Sequence, residues 1–141
     1  MITKAILKAF AYAKQRNWTK SFWAFDVHET ILVPTRSNIL PTEFYPEALE
    51  TLQMISQRAD ICRILYTSSR PEEIKHYLQY FKDHGIHFDY SNQNPEVPSL
   101  GYGYFEEKFY FNVLFDDKAG FDPYEDWKLV RELLTDPNLK L

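Results

Sequence analysis

The sequence has little of what defines several common protein classes. It contains one cysteine in 141 residues, Cys62, so no internal disulfide can form and a disulfide-stapled scaffold is excluded. Glycine is also scarce, at four residues, and no Gly-rich loop follows a predicted strand, which argues against a nucleotide-binding α/β domain. No apolar run approaches the roughly 18 residues that a membrane-spanning helix needs.

Charge and composition exclude further classes of protein. Lysine and arginine number 16 against 20 acidic residues, so a broad basic face for nucleic acid is not indicated. The N-terminus lacks the long apolar stretch of a secretory signal, and with the single cysteine this predicts a cytoplasmic protein. Hydrophobic residues make up 45% of the chain and predict a packed core in one domain, residues 1–141.

Helix and strand signals alternate along the chain. Apolar periodicity and terminal signals predict four helices: one within residues 1–16, one from Pro46, one from Pro71 to Gly85, and one after Asp122 as N-cap with Glu125 as capping-box glutamate. Short apolar runs predict strands over 22–25, 61–67, 86–90 and 109–115. Residues 31–45, without a period and with two prolines, are predicted to form a flap. The alternation predicts an α/β fold with a mostly parallel sheet.

Polar side chains stand where three predicted strands end. Asp26 ends the first, Thr67 and Ser68 the second, and the Asp116–Asp117 pair the fourth. In parallel sheets, ligands bind beyond the carboxyl ends of the strands, so these groups are expected to share a site. A carboxylate there can attack phosphorus, a second acid can hold Mg²⁺, and hydroxyls can donate to a phosphate. Lys108, before the fourth strand, is a candidate for offsetting the charge that develops.

Simpler roles are open for each of these residues. Asp26 can cap a turn after its strand, and the Asp116–Asp117 pair can be a solvated turn. Thr67 and Ser68 can cap the third predicted helix, a role compatible with phosphate binding because helix N-termini attract anions. Lys108 can be an exposed strand-edge lysine.

Three segments together carry a family resemblance: FWAFDVHETIL, ILYTSSRPEEI and FNVLFDDKAGF. They resemble the first, second and fourth motifs of the haloacid dehalogenase (HAD) superfamily, and Lys108 is similar in placement to the third-motif lysine. The resemblance covers roughly residues 20–130. It implies a Rossmann-like three-layer sandwich in which the first and fourth motif strands are neighbours. It also implies an Mg²⁺-dependent phosphomonoesterase that forms an aspartyl-phosphate on Asp26, with Thr67 holding a phosphate oxygen.

The resemblance further implies a metal site. The ligands would be the Asp26 carboxylate, the backbone carbonyl of His28 and Asp117, with Asp116 outside the first coordination sphere or bound through water. One residue departs from the family pattern, because most family phosphatases carry aspartate where this chain has His28. Imidazole can carry a proton as that aspartate does. Histidine can work there with a shifted pH optimum, select another substrate, or cripple hydrolysis and leave a phosphate- or protein-binding module or a long-lived phospho-enzyme.

The chain is too short for a separate cap domain. Within the family, a capless site implies a phosphorylated substrate that is macromolecular, or a cover supplied by a second copy in a homo-oligomer. The flap over 31–45 and the aromatic loop 102–105 are further candidates for covering the site. No membrane partner is expected.

Overall fold

In this computed structural model, residues 1–36, 38–99 and 103–141 are described, and Tyr102 of the predicted covering loop lies outside these ranges. Helices and strands alternate in the order α1 (Ile2–Gln15), β1 (Ser21–Phe25), α2 (Ala48–Ser56), β2 (Ile61–Leu65), α3 (Pro71–Asp83), β3 (Tyr90–Ser91), β4 (Val113–Phe115) and α4 (Asp126–Leu134). A 3₁₀ turn over Asp117–Ala119 follows β4. Among the described helices, none combines the length and apolarity that crossing a bilayer requires.

The four strands form one parallel sheet in the order β3-β2-β1-β4. Phe25 at the end of β1 lies opposite Leu65 of β2 on one side and Phe115 of β4 on the other. The chain therefore moves outward from β1 in one direction through β2 and β3, then returns to the other side of β1 for β4. This confirms the predicted α/β class with a parallel sheet, and the predicted first and fourth motif strands are neighbours.

The sheet is the middle layer of a Rossmann-like three-layer sandwich. Helices α1, α2 and α4 pack on one another and on the sheet through the larger apolar cluster, which includes Trp23, Phe25 and Leu65. Side chains alternate across a strand, so Phe22 and Ile64 face the other way. There they pack with partners from beyond β3, namely Val97, Phe105, Phe109 and Tyr110. The second face is thus covered by an aromatic segment instead of a long helix.

Three predicted strands are wrong in extent. The strand predicted over 61–67 ends at Leu65, and of 86–90 only residue 90 is in a strand. The Ile86 N–H donates to the carbonyl of Phe81, which ties this residue to the end of α3. Of 109–115 only Val113–Phe115 pairs with β1, because the Asn112 side chain accepts the Phe22 N–H that a longer ladder would use.

The helix signals are confirmed, with two corrections at N-termini. Gly85 follows α3 with φ +76°, the left-handed conformation that glycine adopts readily. Helix α2 begins at Ala48, two residues after the predicted Pro46. The predicted capping-box glutamate Glu125 is wrong, because Asp126 accepts the Asp122 N–H and opens α4 one turn later.

A buried cation holds the amino-terminal side of the sheet. The Arg63 guanidinium on β2 donates to four carbonyls at 2.7–3.0 Å, those of Ile55, Arg58, Ile61 and His87. It also lies 3.4 Å from the Asp89 carboxylate. A buried guanidinium is tolerated only when its donors are satisfied in this way.

Candidate functional site

The site lies where the strand order reverses. Strand β1 stands between β2 and β4, and Asp26 is the first residue past its end. The Asp26 N–H donates to the carbonyl of Phe115 at 2.9 Å, so the chain leaving β1 stays beside the chain leaving β4. Asp116 is the first residue after β4. Crevices at such a reversal are where parallel sheets bind ligands.

Asp26, Asp116 and Asp117 form a carboxylate cluster there. One oxygen from each lies within 4.8 Å of the others, and all three side chains are half-buried. Burial, then the charge of Asp116, raises the pKa of Asp26 from 3.8 to about 7, with a smaller effect from Asp117. Three negative charges this close repel one another, and either a proton or a cation relieves the repulsion.

Thr30 fastens this cluster from within the core. Its buried hydroxyl accepts the N–H of Asp117 at 3.1 Å and lies 3.4 Å from the Asp26 carboxylate and 3.3 Å from that of Asp117. The Thr30 carbonyl accepts the indole N–H of Trp127 on α4 at 2.8 Å. Thr30 belongs to the segment FWAFDVHETIL, but the sequence did not predict that its hydroxyl contacts both aspartates.

The turn after Asp26 folds around one backbone carbonyl. The oxygen of Val27 accepts the N–H groups of Thr30, Ile31 and Leu32. Glu29 adopts φ +61°, a left-handed conformation that is unfavourable for a residue with a Cβ. This turn directs the Thr30 hydroxyl back toward the strand end.

The oxygen donors of the site fit a hard cation such as Mg²⁺. Carboxylates and backbone carbonyls are the ligands this ion takes, and Asp26, Asp116 and Asp117 bring three carboxylates together. Within the described ranges, the His28 carbonyl accepts no hydrogen bond and is free for a further ligand. Asp116 accepts the Lys118 N–H at 2.9 Å and affects the pKa of Asp26 more than Asp117 does. The arrangement thus favours neither aspartate, and the preference for Asp117 stays a prediction.

The predicted phosphate donors follow β2, beside Asp26. The Tyr66 N–H donates to the carbonyl of Phe25 at 2.8 Å, which keeps this segment next to the end of β1. The Thr67 hydroxyl lies 2.9 Å from that of Ser69 and accepts the Ser69 N–H at 3.2 Å. Either hydroxyl can be the donor in the first contact, and when Ser69 donates, the Thr67 hydrogen can be donated outward. Ser68 is exposed.

The Thr67 and Ser68 hydroxyls do not cap α3, which was the alternative function open to them. The N-cap of α3 is Arg70, whose N–H donates to the Glu73 carboxylate at 2.9 Å. That glutamate closes the helix end, so neither Thr67 nor Ser68 is needed for it. Capping α3 therefore does not occupy either hydroxyl, and the Thr67 hydroxyl keeps its contacts with Ser69.

Asn92, the residue that follows β3, holds Thr67 by two hydrogen bonds. Its side-chain oxygen accepts the Thr67 N–H at 2.9 Å, and its side-chain nitrogen donates to the Thr67 carbonyl at 2.8 Å. Its φ of +52° is typical of a turn residue, and the sequence gives no signal of this pair of bonds. The partners lie 25 residues apart, and no local pattern signals the contact.

Asn92→Gly is expected to weaken the binding of inorganic phosphate about 10-fold, because Thr67 loses two bonds of about 1 kcal/mol each that orient it. Glycine keeps the left-handed backbone accessible, so the variant removes the amide without adding strain. Isothermal calorimetry with phosphate measures the effect, and Gln93→Ala is the neighbouring control. If Asn92→Gly and its parent bind phosphate with equal affinity, Asn92 does not contribute to phosphate binding.

Lys108, the predicted cation, lies in an exposed loop. Within the described part of the chain, no hydrogen bond or ion pair joins it to the carboxylate cluster. Its function at the site stays a prediction.

The imidazole of His28 contacts a residue on α3. Its Nε2 lies 2.8 Å from the hydroxyl of Tyr77 on α3, and the two rings meet edge to face with centroids 5.5 Å apart. Burial, then the charge of Glu73, raises the pKa of Tyr77, so the phenol stays protonated at neutral pH. Sequence reasoning found His28 but not Tyr77, which is 49 residues away.

The predicted flap, residues 31–45, is fastened to α3. Across its base, the Val33 N–H donates to the carbonyl of Glu43 at 2.8 Å. Near its end, the Tyr80 hydroxyl donates to the carbonyl of Thr42 at 2.5 Å, and the rings of Phe44 and Tyr80 stack at 5.9 Å. The base of the flap segment is therefore fastened to α3, and the described residues of the segment form a wall.

A cleft of about 710 Å³ lies between this wall and the start of α3. Its volume is in the range of small-molecule sites. The residues that line the cleft are mainly polar or come from the flap segment: His28, Pro34, Thr35, Asn38, Ile39, Leu40, Pro41, Arg70 and Glu73. His28 thus belongs to both the cleft and the turn that starts at Asp26.

Comparisons with known proteins extend the description of the fold. No protein-family model matches the chain, and no curated protein matches it. The solved structure of a conserved protein from Bacteroides thetaiotaomicron has a similar fold, with a TM-score of 0.64 and 23% sequence identity. The match covers 83% of this chain and 91% of that one. At this identity the likeness concerns the fold alone.

Proposed function

We propose that this protein is an Mg²⁺-dependent phosphohydrolase of the HAD type, acting on phosphomonoesters. The observation that carries the proposal is the carboxylate cluster at the strand-order reversal, with the pKa of Asp26 raised to about 7. Perturbed carboxylates in a crevice are typical of catalytic groups. The motif resemblance over three strand ends supports the same function.

In the proposed reaction, a carboxylate oxygen of Asp26 attacks phosphorus and the bond from phosphorus to the alcohol oxygen breaks. His28 gives a proton to that oxygen as the alcohol leaves. Water then attacks the aspartyl-phosphate, His28 takes a proton from it, and phosphate and the Asp26 carboxylate are regenerated. The Thr67 and Ser68 hydroxyls donate to the phosphoryl oxygens, and Lys108 is the proposed cation.

Asp26, Asp116, Asp117 and the His28 carbonyl would hold the metal ion. When bound, Mg²⁺ supplies the positive charge that keeps Asp26 ionised and offsets the charge on the phosphoryl group. With its pKa near 7, Asp26 without a cation is largely protonated below neutral pH and is then a poor nucleophile. This supports metal dependence.

A second candidate function is a non-catalytic module that binds phosphate or a protein partner. The observation in its favour is that His28, which stands at the position of the usual acid/base, bonds to Tyr77 through one ring nitrogen. Such a module would bind Mg²⁺ and phosphate without turnover.

Phosphate release separates the two functions. The substrates are small phosphomonoesters and a phosphopeptide, the latter because a capless site is open to macromolecules. Each is assayed with Mg²⁺ and with EDTA. We expect release with Mg²⁺ alone. A parent that binds Mg²⁺ and phosphate but releases none from any substrate would favour the binding module.

His28→Asp tests the proton carrier. We expect its rate to fall about 10-fold, because aspartate is too short to keep the place that the imidazole holds between the cleft and α3. The measurement is kcat against pH, with His87→Asp, an exposed position, as the control. If His28→Asp instead creates activity in an inactive parent, histidine is the reason that the chain does not turn over.

A further inference from the structure

Arg70 brings a positive charge to the cleft between the flap segment and α3. Its side chain is exposed, and it lines the cleft together with Glu73 and His28. Within the described part of the chain, its guanidinium makes no hydrogen bond and no ion pair. The N–H donors of the guanidinium are therefore available to a ligand in the cleft.

The chain connects this cleft to the site in two places. Arg70 belongs to the segment after β2 that carries the predicted phosphate donors Thr67 and Ser68. His28, which also lines the cleft, lies in the turn that follows Asp26. A phosphoryl group bound between Asp26 and Thr67 would thus lie beside the cleft, and the alcohol part of a phosphomonoester would have room in it.

The acidic residue of the cleft, Glu73, already has a hydrogen-bond partner. Its carboxylate accepts the Arg70 N–H at 2.9 Å and closes the start of α3. No ion pair joins this carboxylate to the Arg70 guanidinium in the ranges that the structure describes. A ligand group in the cleft would therefore meet one positive and one negative charge. A group with a single negative charge suits this pair better than a dianionic phosphate, which Glu73 repels twice as strongly.

We infer that the cleft selects phosphomonoesters whose alcohol part carries a carboxylate, and that Arg70 binds this carboxylate. The inference deepens the proposed function and rests on it. A planar guanidinium donates two parallel N–H groups to the two oxygens of a carboxylate, and a methyl or hydroxyl group in the same place cannot accept both. The substrate class is thus the phosphate esters of hydroxy acids.

The first measurement is calorimetric binding of phosphonates in the presence of Mg²⁺. Phosphonates have a carbon–phosphorus bond, which the proposed reaction does not break, so binding is measured without turnover. Each probe with a terminal carboxylate is paired with one in which a methyl group replaces it: phosphonoacetate with ethylphosphonate, 3-phosphonopropionate with propylphosphonate, and 4-phosphonobutyrate with butylphosphonate. At the best chain length, we expect the parent to bind the carboxylate about fivefold more tightly.

Two variants show whether Arg70 is the cause of this preference. Arg70→Gln removes the positive charge, and we expect the preference to fall to within about twofold. Glu73→Gln is the matched control, because it removes one charge from the same cleft while its amide oxygen can still accept the Arg70 N–H. We expect its preference to equal or exceed that of the parent. Thermal unfolding verifies that both variants fold.

The second measurement is kcat/KM for phosphate release from the phosphate esters of glycolate and of ethanol. We expect the parent to favour the glycolate ester, and Arg70→Gln to lose most of this preference. No carboxylate preference at any chain length, the same loss in Glu73→Gln as in Arg70→Gln, or tighter binding of ethane-1,2-diphosphonate than of every carboxylate probe would overturn the inference. A parent that shows the expected binding but releases no phosphate would overturn the proposed function, while the carboxylate site at Arg70 would stand.

Discussion

Asp26→Asn is expected to lower Mg²⁺-dependent phosphate release by at least about 1000-fold, because the amide oxygen is too weak a nucleophile to attack phosphorus. Asparagine has the shape of aspartate and can still accept the N–H of Val27, so the fold is kept. Phosphate release on the best substrate of the panel, with variant and parent at equal concentration, measures the effect.

Glu29→Gln is the control for this substitution. Glu29 is an exposed acid three residues further along the same turn, and its replacement removes the same charge outside the carboxylate cluster. We expect its rate to stay within about twofold of the parent. If Asp26→Asn keeps a rate close to that of Glu29→Gln, Asp26 is not the nucleophile.

The same residue is expected to make stability depend on pH and on metal. The folded pKa of Asp26 is raised to about 7 from 3.8, so the stability that the protonated group confers is full below about pH 4 and is lost as the pH rises through 7. The difference between these pKa values corresponds to about 4 kcal/mol, which solvent screening of a partly exposed group reduces to about 2 kcal/mol. Metal-free Asp26→Asn should therefore be about 2 kcal/mol more stable than its parent at pH 8, and no more stable at pH 4.

Thermal unfolding with EDTA across this pH range measures the difference, and we expect a Tm about 6 °C higher in the variant at the alkaline end. Mg²⁺ should then raise the Tm of the parent and have much less effect on Asp26→Asn, because a bound cation replaces the proton. If Asp26→Asn is no more stable than the parent at pH 8, the carboxylates do not destabilise the folded protein by repelling one another.

The parts of the fold that could be predicted are those with local causes. An apolar run ending at an aspartate predicts β1, and Pro71 with Gly85 predicts both ends of α3. These signals lie within a few residues of the structure they determine. The strand-end rule then brings Asp26 and Asp116 together without knowledge of any contact.

What could not be predicted depends on partners far along the chain. The apolar run from Phe109 has the composition of a strand, yet its ladder stops at Asn112 because that side chain occupies the Phe22 N–H. Tyr77 and Asn92 are ordinary helix and turn residues in sequence. Their contacts with His28 and Thr67 span 49 and 25 residues, and only the packed structure brings them together.

The hydrogen-bonded guanidinium of Arg63 bears on which substitutions the fold tolerates. Three of its carbonyl partners lie before β2 or at its first residue and the fourth lies before β3, on the side of the sheet remote from Asp26. The edge that carries Asp26 has features that oppose folding: crowded like charges and the left-handed Glu29. Because contributions from distant sites are usually additive, we expect a substitution of Asp26 to leave the Arg63 bonds at the opposite edge intact.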